Sequence, residues 1–389
     1  MLLYVHVPFC VRKCGYCAFH SGPFSAPDAG RYMELVLRET AHWGAALGPR
    51  TVETVYFGGG TPSLLTPGQI AAILDAAASR FRLEQGAEIT LEANPESALK
   101  PGFLAEVRAL GVNRLSLGVQ SLRDDLLAML GRPHDAGQAR RAAQAARAAG
   151  FSNLNLDMIW GLPGQTAGMW LEDLAGIAAL APDHVSCYGL SLEEGAPLAE
   201  AVGAGRLGLP DEDEGARMYL EGSAFLESEG YGHYEISNHA RPGRESRHNL
   251  GYWSGRDYLG LGPAAVSTLG GRRWANPADL DEYARAVTGG GERAGAEVLT
   301  AEVRRQEMVM LALRTRDGLN LEQFMAATGM EFPRRDPAVE RLRSSGLVRL
   351  GHGRLQLTRE GMLVSNSVIE LVLGVLDRTP ATTAQESYD

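Results

Sequence analysis

The sequence predicts an α/β fold whose parallel sheet curls into a full or partial barrel or spreads as an open doubly wound layer. Two observations support this prediction. Short runs rich in β-branched and apolar residues alternate with longer, alanine-rich amphipathic stretches through the first half of the chain. Glycine and polar residues collect where these runs end, and parallel α/β folds bind their ligands at that edge.

Six strands and five helices are predicted in this half. In chain order the strands are LLYVHV, ETVYF, EITLE, RLSLG, NLNLDM and HVSCY, and the helices cover residues 31–43, 67–80, 101–109, 137–149 and 168–179. Two helices begin with a proline, Pro67 and Pro101, whose fixed φ suits a first helical turn. The residues that close or follow a strand are Cys10, residues 58–61, Glu92, Gln120 and Asp157.

Past about residue 207 the alternation fades into a region rich in glycine, proline and charge. We predict four segments: the β/α domain over 1–206, an α+β extension over 207–300, a small winged-helix-like domain over 301–376 and a flexible tail over 377–389. In the third segment a helix-like pattern precedes VRLGHGRLQLT, which is typical of two short strands around a Gly-His-Gly turn.

Charge and hydropathy exclude several partners. The chain has 389 residues, a net charge of −10 and a sequence pI near 5.5, so we expect no nucleic-acid partner. The run VIELVLGVL is interrupted by Glu370, and MLLYVHVPF lacks the features of a signal peptide. We therefore predict a cytoplasmic protein without an integral membrane segment, in a compartment that keeps thiols reduced.

The stretch FCVRKCGYCAF holds three of the four cysteines, Cys10, Cys14 and Cys17. In one tight loop, C-x3-C-x2-C spacing lets three thiolates converge on one metal centre, such as an iron–sulfur cluster with one iron left open. Two alternatives remain. His20 could complete a structural Cys3His zinc site, or the cysteines could be reactive thiols without a metal.

CVRKCGYC resembles the radical S-adenosylmethionine (SAM) signature. After it come FGGGTPS, LEANPES, GVNRLSLGVQSL, NLDMIWGLPGQT and HNLGYW, and together these motifs resemble the family of oxygen-independent coproporphyrinogen III oxidase and its relatives over most of the chain. The resemblance implies a partial parallel (β/α)6-type barrel and a [4Fe-4S] cluster held by Cys10, Cys14 and Cys17. It also implies SAM at the open iron, which an electron from the cluster splits to a 5'-deoxyadenosyl radical.

The resemblance also implies a set of SAM contacts: Tyr4, Tyr16, Gly59, Gly60, Thr61, Glu92, Gln120, Arg132, Asp157 and Gly189. The glycine-rich run lets bare backbone approach a ligand, and carboxylates at the ends of apolar strands need a solvated or paired environment. By resemblance, Gln120 and Asp157 suit the ribose, and Glu92 suits the polar part of SAM. Arg132 suits the methionine carboxylate through its planar donor fork, although taken alone it also fits a surface charge at a helix end.

Two departures separate this chain from the oxidase. The oxidase has a further cysteine just after the third ligand, where this chain reads Cys17-Ala18-Phe19, and it has a long extension ahead of the cluster, where only nine residues precede Cys10 here. Both departures favour the heme-chaperone branch of the family, and we expect coproporphyrinogen oxidase activity to be absent. HNLGYW fits a pattern associated with heme handling in that branch.

Within HNLGYW, the candidate heme residues are His248, Asn249, Tyr252 and Trp253. An imidazole nitrogen can ligate heme iron, and the two aromatic rings offer flat apolar surface to a porphyrin. The alternative is a core loop in which His248 satisfies backbone groups and the aromatic rings simply pack.

The resulting hypothesis is a protein that binds heme and delivers it to heme-accepting proteins such as respiratory enzymes, while carrying a [4Fe-4S] cluster and SAM. The resemblance also admits a homodimer. The alternative functions are an oxidative decarboxylase of coproporphyrinogen III and a radical methylase acting on a tetrapyrrole.

Overall fold

The computed structural model describes residues 1–289 and 295–378. The chain divides into two compact units. The first contains Met1–Gly232, His239–His248 and Asp257–Val298, and the second contains His233–Asn238, Asn249–Arg256 and the chain from Leu299 onward. Most of the predicted tail, from residue 379, lies outside the described residues. No helix among the described residues is long and apolar enough to cross a membrane.

The elements follow in chain order. The strands are β1 (Leu2–Val7), β2 (Phe9–Cys10), β3 (Gly22–Pro23), β4 (Thr51–Gly59), β5 (Arg82–Ala93), β6 (Arg114–Gln120), β7 (Leu154–Trp160), β8 (His184–Gly189), β9 (Gly232–Glu235), β10 (Asn238–Ala240), β11 (Tyr258–Leu261), β12 (Val266–Leu269), β13 (Arg272–Ala275), β14 (Glu297–Val298), β15 (Leu319–Asn320), β16 (Val348–Gly351) and β17 (Arg354–Leu357).

The helices are α1 (Ala26–Leu47), α2 (Pro67–Arg80), α3 (Pro95–Ala98), α4 (Phe103–Ala109), α5 (Asp124–Met129), α6 (Ala136–Ala148), α7 (Ala167–Ala178), α8 (Pro197–Gly203), α9 (Glu212–Ser228), α10 (Arg247–Trp253), α11 (Leu280–Thr288), α12 (Ala301–Leu313), α13 (Leu321–Thr328), α14 (Pro337–Ser344), α15 (Arg359–Leu363) and α16 (Ser365–Asp377). A short 3-10 helix covers Pro62–Leu64.

One large sheet organises the first unit, in the order β14-β13-β12-β11-β1-β4-β5-β6-β7-β8-β10. From β11 to β8 neighbouring strands pair in parallel, whereas β11 to β14 form an antiparallel meander. All six predicted strands occur in the parallel part, and helices follow them in the predicted alternation. The predicted fold class, an α/β fold with a large parallel sheet and a small C-terminal domain, is confirmed.

The two faces of the parallel strands differ in chemistry, because successive side chains point to opposite faces. On β6, Leu115 and Leu117 are fully buried in the main hydrophobic core. Between them, Ser116 accepts a hydrogen bond from Asn155 on β7 at 2.6 Å, and Asn155 is in turn 2.6 Å from the imidazole of His184 on β8. One face of the sheet therefore builds the core and the other carries a buried polar layer.

Local capping explains where the helices begin. Thr66 and Gln69 form a capping box, and α2 covers the predicted residues, Pro67 to Arg80. The helix predicted from Pro101 begins at Phe103 instead, because Gly102 takes a φ of 79° in the left-handed region, outside helical geometry.

The second unit contains a cluster of helices and the three-stranded sheet β15-β17-β16. Strands β16 and β17 are antiparallel and flank the Gly-His-Gly turn, where His352 has a φ of 49°. The two short strands predicted from VRLGHGRLQLT are therefore confirmed.

The structure also shows elements that the sequence pattern did not indicate. Helix α9 begins directly after Asp211, whose side chain accepts a hydrogen bond from the backbone amide of Glu214. The four-residue strand β11 pairs in parallel with β1. A strand this short carries too little periodicity to be recognised from sequence.

Candidate cofactor site

The predicted site residues meet at one edge of the first unit because the strands run in parallel and in register. Glu92 on β5 lies opposite Ser116 on β6, and Gly118 lies opposite Asp157 on β7. On the other side, β1 aligns its last residue, Val7, with Gly59. Residues from five strands are thereby brought to the same end of the sheet.

The three cysteines occupy a short loop that begins at the end of β1 and β2. Strands β2 and β3 pair so that Cys10 lies opposite Pro23, which closes the loop. Its middle is anchored by Gly15, which donates to the carbonyl of Leu130 at 3.0 Å and accepts from the backbone of Leu198 at 2.9 Å. The cysteines are all unpaired and partly exposed.

Two of the sulfur atoms contact residues outside the loop, one just after β4 and one just after α5. The Thr61 hydroxyl lies 3.5 Å from the Cys10 sulfur, and the Arg132 guanidinium lies 3.3 Å from the Cys14 sulfur. Burial raises the pKa of the Cys17 thiol, so without a bound metal this group stays protonated.

No group of three or more His, Cys, Asp or Glu residues among the described residues is arranged to hold a single metal ion. A Cys3His zinc site needs all four ligands within about 2.0–2.3 Å of one ion. A four-iron cluster spreads its thiolates over separate irons and does not require this arrangement.

The glycine-rich turn packs directly against β1 and β2. Gly59 has a φ of 108°, and a Cβ there would lie 2.6 Å from the ring of His6. A Cβ on Gly60 would lie 2.5 Å from the carbonyl oxygen of Phe9. Only glycine fits both positions, and this close packing places Thr61 beside Cys10.

Arg132 is held in the site by Gly118 on β6 and by Asn94, which directly follows β5. Its Nη2 donates to the Asn94 side-chain oxygen at 2.6 Å and to the Gly118 carbonyl at 2.8 Å. Its buried Nε has no hydrogen-bond partner among the described residues. An unused guanidinium donor next to a thiol suits a carboxylate ligand. These contacts do not match the alternative of a surface charge at a helix end.

Two carboxyl groups line the same edge. Tyr56 donates to Glu92 at 2.7 Å, and burial raises the pKa of Glu92 to about 7. Asp157 accepts from Ser116 at 2.9 Å and from Asn155 at 2.8 Å, and burial raises its pKa as well. Both groups can accept hydrogen bonds from a ligand, and Glu92 titrates near neutral pH.

Gln120 ends β6 in a left-handed conformation with a φ of 73°, where the pairing with β7 shifts register. A non-glycine residue in this region costs about 1–3 kcal/mol, and such strain is concentrated at functional sites. Gly189 ends β8, and a Cβ there would lie 3.0 Å from the ring of Trp160.

The two predicted tyrosines lie on different elements. Tyr4 stacks on Tyr56 with ring centroids 6.1 Å apart, and its hydroxyl lies 3.2 Å from the His6 Nδ1. Tyr16 lies between Cys14 and Cys17, and burial raises its pKa.

HNLGYW lies on α10, and its histidine is 1% exposed. The Nδ1 of His248 lies 2.7 Å from the Thr54 hydroxyl, its backbone amide donates to Glu88, and burial lowers its pKa to about 3. Asn249, Tyr252 and Trp253 are partly buried and belong to the second unit. Because Thr54 contacts Nδ1, a heme iron would have to approach the other ring nitrogen, Nε2, which is buried.

Three residues that contribute to this edge were not predicted: His6, Tyr56 and Asn94. Asn94 joins Arg132 to Thr61, since its Nδ2 donates to the Thr61 hydroxyl at 3.2 Å. Its position within LEANPES, two residues after Glu92, is the signal that could have indicated it.

A parallel sheet with a three-cysteine loop at the ends of its strands is typical of radical SAM proteins, and residues 4–175 match the Radical SAM superfamily. Residues 299–364 match the HemN C-terminal domain. The heme chaperone HemW of Mycobacterium tuberculosis is 40% identical, with coverage of 96% of this chain and 94% of that protein. HemW of Bacillus subtilis is 33% identical, covering 96% and 99%. The chain belongs to the HemW family.

The chain is also similar to a mitochondrial protein and to a solved enzyme structure. The bovine protein named radical S-adenosyl methionine domain-containing protein 1, mitochondrial, is 37% identical, covering 98% of this chain and 90% of its own length. Among solved structures, coproporphyrinogen III oxidase (HemN) from Escherichia coli has a TM-score of 0.83 at 25% identity, covering 97% of this chain and 90% of that one.

Proposed function

We propose that this protein is a heme chaperone, which binds heme and delivers it to heme-requiring proteins while carrying a [4Fe-4S] cluster and SAM. The observation that carries the proposal is the near full-length similarity to proteins named heme chaperone HemW. The cluster loop lies within the part of the chain that matches the Radical SAM superfamily. We further propose that it works in the cytoplasm, that respiratory enzymes are among its acceptors, and that it can form a homodimer.

The cofactor part of the proposal rests on the contacts at the strand ends. Cys10, Cys14 and Cys17 would hold the cluster, and Arg132 would bind the methionine carboxylate through its unused Nε. The acceptors Glu92 and Asp157 suit the amino and ribose groups. When bound, the cluster and SAM supply one-electron cleavage of SAM.

The remaining predicted contacts fall into two groups. Gly59, Gly60 and Thr61 bring backbone and a hydroxyl to the cluster loop, and Tyr4 and Tyr16 flank it. Gln120 would join Asp157 at the ribose, and Gly189, at the end of β8, would leave room for the adenine.

For heme we propose the residues of α10, namely His248, Asn249, Tyr252 and Trp253. Heme iron needs an accessible ligand, and His248 is buried. Three of the nine histidines are exposed, His20, His42 and His352. These three are the alternative heme ligands against which His248 is compared.

The test uses anaerobically reconstituted protein. One sample receives coproporphyrinogen III, SAM and a reductant, and a parallel sample is titrated with heme while the Soret band is recorded. We expect saturable heme binding and no protoporphyrinogen. The titration is repeated with His248→Ala and with alanine at each exposed histidine, since the variant that alters the Soret band identifies the ligand.

The second candidate function is oxidation of coproporphyrinogen III, which the similarity to the E. coli oxidase structure favours. Protoporphyrinogen and carbon dioxide in the first sample would establish it and overturn the chaperone proposal. Consumption of heme with SAM would instead indicate a tetrapyrrole methylase.

A further inference from the structure

His248 is held in the first unit by contacts with two neighbouring strands, β4 and β5. Its Nδ1 lies 2.7 Å from the Thr54 hydroxyl on β4, and its backbone amide donates to Glu88 on β5 at 3.1 Å. Thr54 and Glu88 lie opposite each other in the parallel pairing of these strands. The imidazole is therefore fixed in position and orientation relative to both strands.

The fixed imidazole packs on the next inward-pointing residue of β4. The ring centroids of His248 and Tyr56 are 4.9 Å apart with an interplanar angle of 31°. Tyr4 of the neighbouring strand packs on Tyr56 at 6.1 Å. Two rings thus restrict the plane of Tyr56.

Tyr56 connects this packing to the cofactor edge. Its hydroxyl donates to the Glu92 carboxylate at 2.7 Å. A buried carboxylate is stabilised by each donor it keeps. Tyr56 is its side-chain donor beside the backbone of Gly59, so the direction in which Tyr56 points affects both the position and the charge of Glu92.

We infer that His248 is a positioning residue of the SAM site, whose ring holds Tyr56 so that the Tyr56 hydroxyl fixes Glu92 toward the polar part of SAM. This inference rests on the proposed SAM site. It gives the histidine of HNLGYW a role that does not require contact with heme.

Removing the ring leaves a space beside Tyr56. The phenol can then tilt, and Glu92 loses the hydrogen bond from the Tyr56 hydroxyl and keeps only its backbone donor at Gly59. SAM binding would weaken although no residue that contacts SAM has changed. A histidine that merely filled the core would instead lower stability and leave SAM affinity unchanged.

The test is a double-mutant cycle on SAM affinity, measured by anaerobic equilibrium dialysis with cluster-loaded protein. We expect His248→Ala and Tyr56→Phe each to raise the Kd for SAM about tenfold. The double variant should also raise it about tenfold in total, rather than about a hundredfold, because both changes remove the same interaction. The expected total for the double variant is therefore close to that of either single variant.

Two further variants provide a substitute for His248→Ala and a control. Thr54→Val removes the hydroxyl that orients His248 at nearly constant volume, should raise the Kd about threefold and should be non-additive with Tyr56→Phe. It replaces His248→Ala in the cycle if that variant does not fold. His233→Ala, which removes another buried imidazole in the second unit, should leave SAM affinity unchanged.

The outcomes separate the two proposals. Wild-type protein that binds the cluster but not SAM would overturn the proposed SAM site and this inference with it. If wild-type protein binds SAM, unchanged affinity in His248→Ala, or losses that multiply in the double variant, would overturn the positioning role alone.

Discussion

The guanidinium of Arg132 lies 3.3 Å from the sulfur of Cys14, although 118 positions separate the two residues in the chain. The same guanidinium donates to Asn94, which in turn contacts Thr61 beside Cys10. One cation and one amide thus link the cluster loop to the ends of β4, β5 and β6.

Arg132→Gln should lower the reduction potential of the cluster and weaken SAM binding about tenfold or more. The cation stabilises negative charge on the nearby thiolate and supplies the donor for the methionine carboxylate. A redox titration followed by electron paramagnetic resonance measures the first effect, and dialysis measures the second. Arg123→Gln, which removes an exposed pair with Glu172, is the control. An unchanged potential in Arg132→Gln would contradict the electrostatic role.

Serine at Cys10, Cys14 or Cys17 should abolish the cluster, because each sulfur supplies one of only three protein ligands. Iron and acid-labile sulfide, assayed after reconstitution, report the result. The matched control is Cys187→Ser on β8, a buried thiol away from the cluster loop. Retention of iron and sulfide in all three loop variants would refute the cluster assignment.

SAM affinity should fall as the pH decreases from about 7.5 to about 6. The pKa of Glu92 is about 7, so its carboxylate becomes protonated over this range and can no longer pair with an ammonium group; the loss reaches several-fold. Dialysis at fixed ionic strength measures it. Glu92→Gln should bind weakly at every pH and lose this dependence, and a variant that keeps it would assign the titration to another group.

Gly118→Ala should weaken SAM binding about tenfold and leave the cluster in place. The added Cβ would lie 3.0 Å from the Gln120 amide, 3.1 Å from the Asn94 oxygen and 3.2 Å from the Arg132 guanidinium, so the donors and acceptors of the site must shift. Gly203→Ala, where a Cβ meets nothing within 4 Å, is the control. Normal affinity in Gly118→Ala would show that these side chains do not bind SAM in the positions seen here.

Glu235→Gln in the second unit should increase the free energy of unfolding at pH 8 by about 2 kcal/mol and change little at pH 4. Glu235 is 1% exposed, and burial raises its pKa to about 7. Since the folded chain holds this proton more tightly than the unfolded chain, stability falls as the pH rises from about 4.5 to about 7.

Urea denaturation at the two pH values measures the effect of Glu235→Gln. Glu340→Gln, which removes an exposed pair with Arg343, should change stability little at either pH. An equal effect of Glu235→Gln at both pH values would mean that the carboxyl group does not titrate as inferred.

Much of the candidate cofactor site was predictable because the carboxyl ends of parallel strands lie at the same edge of the sheet. Glu92 and Asp157 were recognisable as charges within apolar strands, and the cysteine spacing indicated a cluster loop. Tyr56 and Asn94 were not recognised, because an aromatic residue within a strand and an asparagine after one are usual in any α/β protein.

The alternation of strands and helices, the three thiols and the acceptors at the strand ends follow from the sequence, since they depend on spacing along the chain. The contact between Thr54 and His248 across 194 positions, and the place of Tyr56 between His248 and Glu92, come from the three-dimensional fold. Such contacts depend on strand register and on the packing of buried rings, which join distant parts of the chain and leave no local pattern.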